Sequence, residues 1–189
     1  MSRKGIVVIS APSGSGKTTI YKEILKRNPE LRFSVSYTTR NRREGEVDGR
    51  DYFFVDRGTF EKMAKEGKFV EWASVHGEFY GTERRQIDEC LAGGKILLLD
   101  VDVQGAMNVM REFPGAVTIF IEPPSLEELE RRLRRRGTES DESIRLRLEG
   151  AKRELEYRNN FRYIVINDQL DESIRQIENI IKIAPLERT

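Results

Sequence analysis

Residues 9–25 read ISAPSGSGKTTIYKEIL, an apolar run that breaks into small residues, a lysine and two threonines before helical spacing begins. That order of residue types suits one chemistry, the holding of phosphate. Gly14 and Gly16 allow main-chain angles that a side chain forbids and let the backbone approach a ligand closely. The N–H groups of Ser13, Gly14, Ser15, Gly16 and Lys17 then wrap phosphate oxygens at the start of a helix, where the partial positive charge adds to the attraction. Lys17 reaches the outer phosphates of a nucleotide, and the Thr18 hydroxyl is placed to ligate Mg2+. Ala11, Pro12 and Thr19 complete the loop. The general pattern G-x-x-x-x-G-K-[ST] opens on glycine, and Ala11 stands in that place here, small enough to keep the turn tight. A serine-glycine surface turn is the bland alternative, and it leaves the flanking strand and helix unexplained.

A second carboxylate-bearing stretch is ILLLDVDVQGA. Asp100 ends an apolar run, and in an open parallel sheet the carboxyl ends of the strands face the ligand crevice. A carboxylate there helps hold Mg2+, usually through water. Asp100 also reads as a helix cap opening VDVQGAMNV, and Asp102 invites the same two readings. The arginine-rich stretches TTRNRREGE and RRLRRRG, taken alone, read as a solvated loop and an exposed helix face. Glu127, Glu128, Glu130, Glu139, Asp141 and Glu142 surround the second and argue against a broad nucleic-acid surface.

These residues need elements to position them. Gly5–Ile9, Lys95–Asp100, Ala116–Ile121 and Tyr163–Ile166 are apolar runs without polar alternation, as parallel strands covered on both faces require. Helical spacing lies between them: Ile20 and Ile24; Ile144, Leu148, Ala151 and Leu155; Leu170, Ile174, Ile177 and Ile181. Ser125-x-x-Glu128 is a capping-box start for the helix bearing Leu126, Leu129 and Leu133. The alternation predicts an α/β core, a parallel sheet with helices on both faces. Residues 33–82 break the rhythm with short aromatic segments, FSVSYTTR, DYFFV, FVEWASV and GEFYG, which predict a small mixed or antiparallel sheet inserted into the core.

With 189 residues the chain fits one well-packed domain. Its 33 basic and 32 acidic residues nearly cancel, so no global charge draws it to nucleic acid or to an anionic membrane, and any phosphate site must be local. No apolar stretch approaches the roughly 20 residues of a bilayer crossing, and MSRKG has no apolar signal core behind it; a soluble cytoplasmic protein is expected. One cysteine, Cys90, and one histidine, His76, exclude an internal disulfide and a Cys/His metal cluster. Cys90 reads as a helix packing residue and His76 as a residue shaping the turn VHGEFYG. Charged residues are 34% of the chain, above the roughly 25% of ordinary domains, a surplus of the kind ion-pair networks use. No oligomeric state follows from the sequence.

In chain order, APSGSGKTT, FSVSYTTRNRREGEVDGRDYFF, FVEWASVHGEFYGT, ILLLDVDVQGA, RRGTESDESIRLRL and YIVIND together resemble guanylate kinase over nearly the whole chain. The resemblance implies a single domain, with a P-loop core at 1–32, 83–123 and 151–189, a GMP-binding lobe at 33–82 and a helical lid at 124–150. It implies Mg2+-dependent transfer of the terminal phosphoryl of ATP to GMP, with dGMP as a further acceptor, giving GDP and ADP. Ser36, Arg40, Arg43, Tyr52, Glu71, Tyr80, Thr82 and Asp102 then form the GMP site. Arg40, Arg43 and the hydroxyls of Tyr52 and Tyr80 take the GMP phosphate, since a planar guanidinium matches two phosphate oxygens at once. Glu71 would accept from the adjacent N1–H and N2 amino donors of guanine while Ser36 and Thr82 donate to O6. Arg136 and Arg147 become lid arginines that join Lys17 and Arg40 in neutralising the transferred phosphoryl, and Asn167 borders the adenine end of the ATP site. Two other readings share parts of this pattern: a P-loop kinase of another nucleoside monophosphate, and a non-catalytic guanylate-kinase-like peptide-binding module. The intact Lys17 loop speaks against the second.

Overall fold

The computed structural model describes residues 4–75, 77–135, 140–184 and 186. In chain order its elements are β1 (Gly5–Ser10), α1 (Lys17–Arg27), β2 (Leu31–Phe33), β3 (Tyr37–Thr38), β4 (Phe53–Phe54), α2 (Arg57–Lys65), β5 (Phe69–Val75), β6 (Glu78–Glu83), α3 (Arg84–Ala92), β7 (Ile96–Asp100), α4 (Val103–Glu112), β8 (Val117–Glu122), α5 (Leu126–Arg135), α6 (Asp141–Leu155), β9 (Tyr163–Ile166) and α7 (Leu170–Ile183).

The four apolar runs of the sequence become β1, β7, β8 and β9, and all four lie in one parallel sheet of order β2-β7-β1-β8-β9. The fifth strand, β2, is three residues long with only Leu31 buried, too short and too polar to show as an apolar run. Its Phe33 pairs with Leu98, so the core sheet reaches one residue past position 32. Both faces are covered over β1, β7 and β8. At the β9 edge Ile164 and Ile166 stay exposed, contrary to what the apolar run predicts, because among the described residues no helix packs over that side of the last strand. Ile20, Ile24, Ile174 and Ile177 of α1 and α7 close one face over Val7, Ile9, Leu98 and Ile119. Ile87 and Cys90 of α3 and Val103, Ala106 and Val109 of α4 close the other over Ile6, Val8, Leu97 and Leu99. Each fully buried aliphatic side chain contributes about 1.5–3 kcal/mol, which is why the strands lack polar positions.

Strand β1 lies between β7 and β8, so the chain passes from one side of β1 to the other within the sheet. At such a switch point the connections leaving the carboxyl ends diverge and open a crevice. The turn after β1 and Asp100 at the end of β7 both lie there.

The second sheet, β4-β3-β6-β5, is mixed: β3 pairs parallel with β4 and antiparallel with β6, which pairs antiparallel with β5. Helix α2 was not foreseen. Its only buried residue is Phe60, too little apolar periodicity to read, and it starts on Asp56, which accepts from the Thr59 N–H at 2.8 Å. Phe60 anchors the lobe by stacking on Phe69 at 4.5 Å between ring centres and packing on Phe79 at 5.4 Å. Leu129, Leu133, Ile144 and Ala151 pair α5 with α6 in a small cluster of their own. Among the described residues, no helix is long and apolar enough to cross a membrane.

Candidate active site

The turn after β1 has the backbone its glycines predict. Gly14 and Gly16 sit at φ 95° and 89°, the left-handed region where a side chain is strained, and α1 starts directly on Lys17. A methyl group on Gly16 would stand 2.6 Å from Asn167 Nδ2. That amide donates to the Ser15 carbonyl at 2.7 Å, while Asn167 Oδ1 accepts from Ser173 Oγ at 3.1 Å and the Asn167 carbonyl accepts from Arg132 Nη2 at 2.9 Å. Asn167 is buried and braces the loop from behind. Ser173 was missed from sequence because it sits among the apolar residues of α7. Ala11 is buried at the loop's entry and Pro12 accepts from the Ser15 N–H at 3.1 Å, whereas Ser13, Thr18 and Thr19 are exposed.

Lys17 Nζ lies 2.5 Å from Asp100 Oδ1 and donates to the Val101 carbonyl at 3.1 Å. Asp100 Oδ1 is buried and has no hydrogen-bond partner of acceptable geometry among the described residues, and the same holds for Ser15 Oγ. The buried Asp100 carboxylate and the exposed Thr18 hydroxyl, one paired with Lys17 and the other next to it, are hard oxygen donors of the kind Mg2+ uses. The described residues contain no group of three or more His, Cys, Asp or Glu side chains suited to a metal, so a cation here would share its shell with phosphate oxygens and water.

Helix α6 adds a residue that sequence reading passed over. Glu154 Oε2 accepts from the Ser13 N–H at 3.3 Å, an amide of the turn after β1. Burial raises the Glu154 pKa, with the Ser13 N–H and Lys17 opposing the shift. Its signal was present in the spacing: Arg147, Ala151 and Glu154 recur at i, i+4 and i+7 on one helical face.

The lobe contributes a different set. Glu71 is not an exposed strand residue; it is only 6% exposed, on the same face of β5 as Phe69 and Ala73, while Trp72 on the other face is 46% exposed. A register shift between Phe69 and Glu71 brings Glu71 opposite Thr82 of β6, whose hydroxyl donates to Glu71 Oε1 at 2.6 Å. Glu71 Oε2 meets Gly105 on α4 so closely that a methyl group there would stand 2.5 Å from it. Asp102 resolves its two readings as the N-cap of α4: Oδ1 accepts from the Gly105 N–H at 2.7 Å. Burial raises the Glu71 pKa to about 7; the Thr82 hydrogen bond opposes this, and the nearby Asp102 charge adds to it. Glu71, Thr82 and Asp102 thus meet where the lobe joins the core.

Arg40 and Tyr52 stand on the lobe's other wall. The guanidinium lies 5.4 Å from the Tyr52 ring centre and 5.7 Å from that of Phe54, and Tyr52 meets Tyr80 edge-on at 6.0 Å. Burial and the Asp100 charge push the Tyr52 hydroxyl up to about 12, so it stays a donor. Ser36 is half-buried, and its carbonyl accepts from the Phe53 N–H at 2.9 Å. Arg43 is exposed on the loop after β3, and Lys22 Nζ of α1 lies 3.6 Å from Asp51, tying that loop to the core. Arg147 is half-buried on α6. Arg136 and His76 lie outside the described residues. The neighbouring arginines are ion-paired: Arg131 and Arg132 with Glu128, and Arg134 with Glu130 and Asp141.

A lysine-bearing phosphate loop at the switch point of a parallel sheet, faced by a second lobe with a buried carboxylate, defines a kinase of the P-loop fold. The family model for guanylate kinase matches residues 3–184. Similar proteins include the guanylate kinase of Prochlorococcus marinus, 48% identical over 94% of this chain and 97% of that protein. The guanylate kinase of Aromatoleum aromaticum is 46% identical over 96% and 89%. The crystal structure of guanylate kinase from Anaplasma phagocytophilum superposes with a TM-score of 0.82 at 34% identity, covering 99% of this chain and 89% of that one. Shikimate kinase from Bacteroides thetaiotaomicron, at 12% identity and a TM-score of 0.50, shares the fold alone. The chain belongs to the guanylate kinase family.

Proposed function

We propose that the protein transfers the terminal phosphoryl group of ATP to GMP, yielding ADP and GDP, with Mg2+ as cofactor that Thr18 and, through water, Asp100 would hold. The observation that supports this reading best is the buried Glu71–Thr82 pair beside Asp102, whose carboxylate oxygens and hydroxyl suit the hydrogen-bonding edge of a guanine. Guanine offers N1–H and an amino group to the carboxylate. Adenine has no N1–H and would leave an acceptor unmatched.

In this reading the amides of residues 13–17 and Lys17 hold the outer phosphates of ATP, and Arg40, Arg43, Tyr52 and Tyr80 hold the GMP phosphate. Asn167 acts by bracing the loop and Ser36 stands beside the base. Arg147 and Arg136 approach from the lid, taken as 124–150, once it closes with the lobe, taken as 33–82. Phosphoryl transfer passes through a loose transition state, so these side chains act by alignment and charge neutralisation, and none is needed as a covalent nucleophile. Thr18 and, through water, Asp100 would hold Mg2+, which would supply charge neutralisation at the phosphates. Closure excludes water, which would otherwise divert the phosphoryl group.

The test is ADP formation against a panel of nucleoside monophosphates. A site that reads the base by buried hydrogen bonds discriminates by about 10⁴-fold or more, so GMP should turn over and AMP and UMP should not. Comparable rates with AMP or UMP would overturn the assignment of GMP as acceptor.

A further inference from the structure

The loop after β3 carries Arg40, Arg42, Arg43 and Arg50 within eleven positions, and one carboxylate organises it. Glu46 Oε1 accepts from Arg40 Nη2 at 2.8 Å and Oε2 from Arg40 Nη1 at 3.1 Å, a parallel two-bond fork. Oε2 also accepts from the Arg43 main-chain N–H at 2.8 Å, and the Glu46 N–H donates back to the Arg43 carbonyl at 3.2 Å, closing the turn. This is no solvated surface pair: the two side chains are 13% and 20% exposed.

The fork uses the end of the guanidinium. Arg40 Nη1 spends its second hydrogen on the Asn41 carbonyl at 2.6 Å. Of the five N–H donors of an arginine, these bonds engage both hydrogens of Nη1 and one of Nη2. The Nε–H and the outer Nη2 hydrogen form a second fork along the side of the group, and that edge matches two phosphate oxygens as well as the end does. The rings of Tyr52 and Phe54 fix the plane of the guanidinium. The Tyr80 hydroxyl is a further, weaker hydrogen-bond partner of the guanidinium, after Glu46 itself.

We propose that Glu46 is the positioning residue of the acceptor-phosphate clamp: it grips the end of Arg40 and the Arg43 amide so that the side edge of Arg40 faces the phosphate of the nucleoside monophosphate. The proposal rests on the reading of Arg40 as a phosphate ligand. Glu46 touches no substrate and works through Arg40.

A double-mutant cycle of Glu46→Gln and Arg40→Ala, read by the dissociation constants of GMP and of guanosine and by KM for ATP, tests this. Glu46→Gln should weaken GMP by about 10-fold or more, since it breaks a charge-assisted fork, while guanosine binding and KM for ATP change by less than about twofold. On the Arg40→Ala background the same substitution should cost no further GMP affinity, because the partner it acts through is gone. Equal losses for GMP and guanosine would assign Glu46 a purely structural role and overturn the proposal. Additive losses in the cycle, or tighter GMP binding in Glu46→Gln, would overturn it too. Unchanged GMP affinity in Arg40→Ala would overturn the underlying phosphate reading together with the proposal. Loss of GMP affinity in Arg40→Ala but not in Glu46→Gln would sink the proposal alone.

Discussion

Replacing Glu71 by glutamine should change the pH dependence of stability by an amount the structure lets us work out. Burial raises the Glu71 carboxyl to about 7 in the folded protein, against an ordinary glutamate value of 4.5. Below about pH 4.5 both states hold the proton; between about 4.5 and 7 only the folded state holds it, so raising the pH favours unfolding. Above about 7 the penalty is complete, at roughly 3 kcal/mol for a gap of about 2.5 pH units. Between about pH 5 and about pH 8, wild type should therefore lose about 2–3 kcal/mol more unfolding free energy than Glu71→Gln. Urea unfolding of both proteins without ligand, at matched ionic strength, measures the difference directly. Superimposable pH profiles would refute the claim that burial raises the pKa of this carboxyl to about 7. The same variant separates the two nucleotides. An amide presents one acceptor where the carboxylate presents two, so GMP should bind about 10- to 100-fold more weakly, with ATP nearly unaffected. Equal losses for both nucleotides would count against base reading by Glu71.

Three further outcomes follow from the phosphate loop. Lys17→Ala should lower kcat by about 10²-fold or more, because the variant loses a preorganised cation at the transferred phosphates; near-normal turnover would remove Lys17 from the mechanism. Gly16→Ala forces a side chain into the left-handed region and against Asn167, and should destabilise the fold by about 2–4 kcal/mol in a denaturant titration; a loss below the scatter of replicate titrations would contradict the close approach. Glu154→Gln removes a carboxylate from the Ser13 amide and should tighten ATP binding by about fivefold in calorimetry, close to 1 kcal/mol. Weaker ATP binding would show that Glu154 supports the loop and does not compete with phosphate.

Much of this was legible before any coordinates. Three of the five core strands, β1, β7 and β8, are apolar runs because burial on both faces leaves no polar position to blur them; β9 is an apolar run at the sheet edge that buries only Val165 and leaves Ile164 and Ile166 exposed. The phosphate loop showed itself because only glycine suits its angles. β2 and α2 were not legible: one buries a single leucine and the other a single phenylalanine, so neither has a period to read. The site divides the same way. Lys17 and Asp100 are local to their motifs, but Glu71 owes its burial to a register shift in β5 and to the close approach of Gly105, both tertiary effects. Glu46 and Glu154 hid among many exposed acidic residues, and only the chain's path brings one to Arg40 and the other to the Ser13 amide.

The central claim is that one crevice holds two phosphate-bearing ligands end to end, with a buried carboxylate reading the purine of the acceptor. A crystal structure with GMP and a non-transferring ATP analogue bound together tests it most directly. The guanine edge is expected on Glu71 and Thr82, the GMP phosphate on Arg40 and Arg43, and the analogue's outer phosphates over residues 13–17. Guanine lodged elsewhere, with Glu71 still bonded only to Thr82, would contradict it.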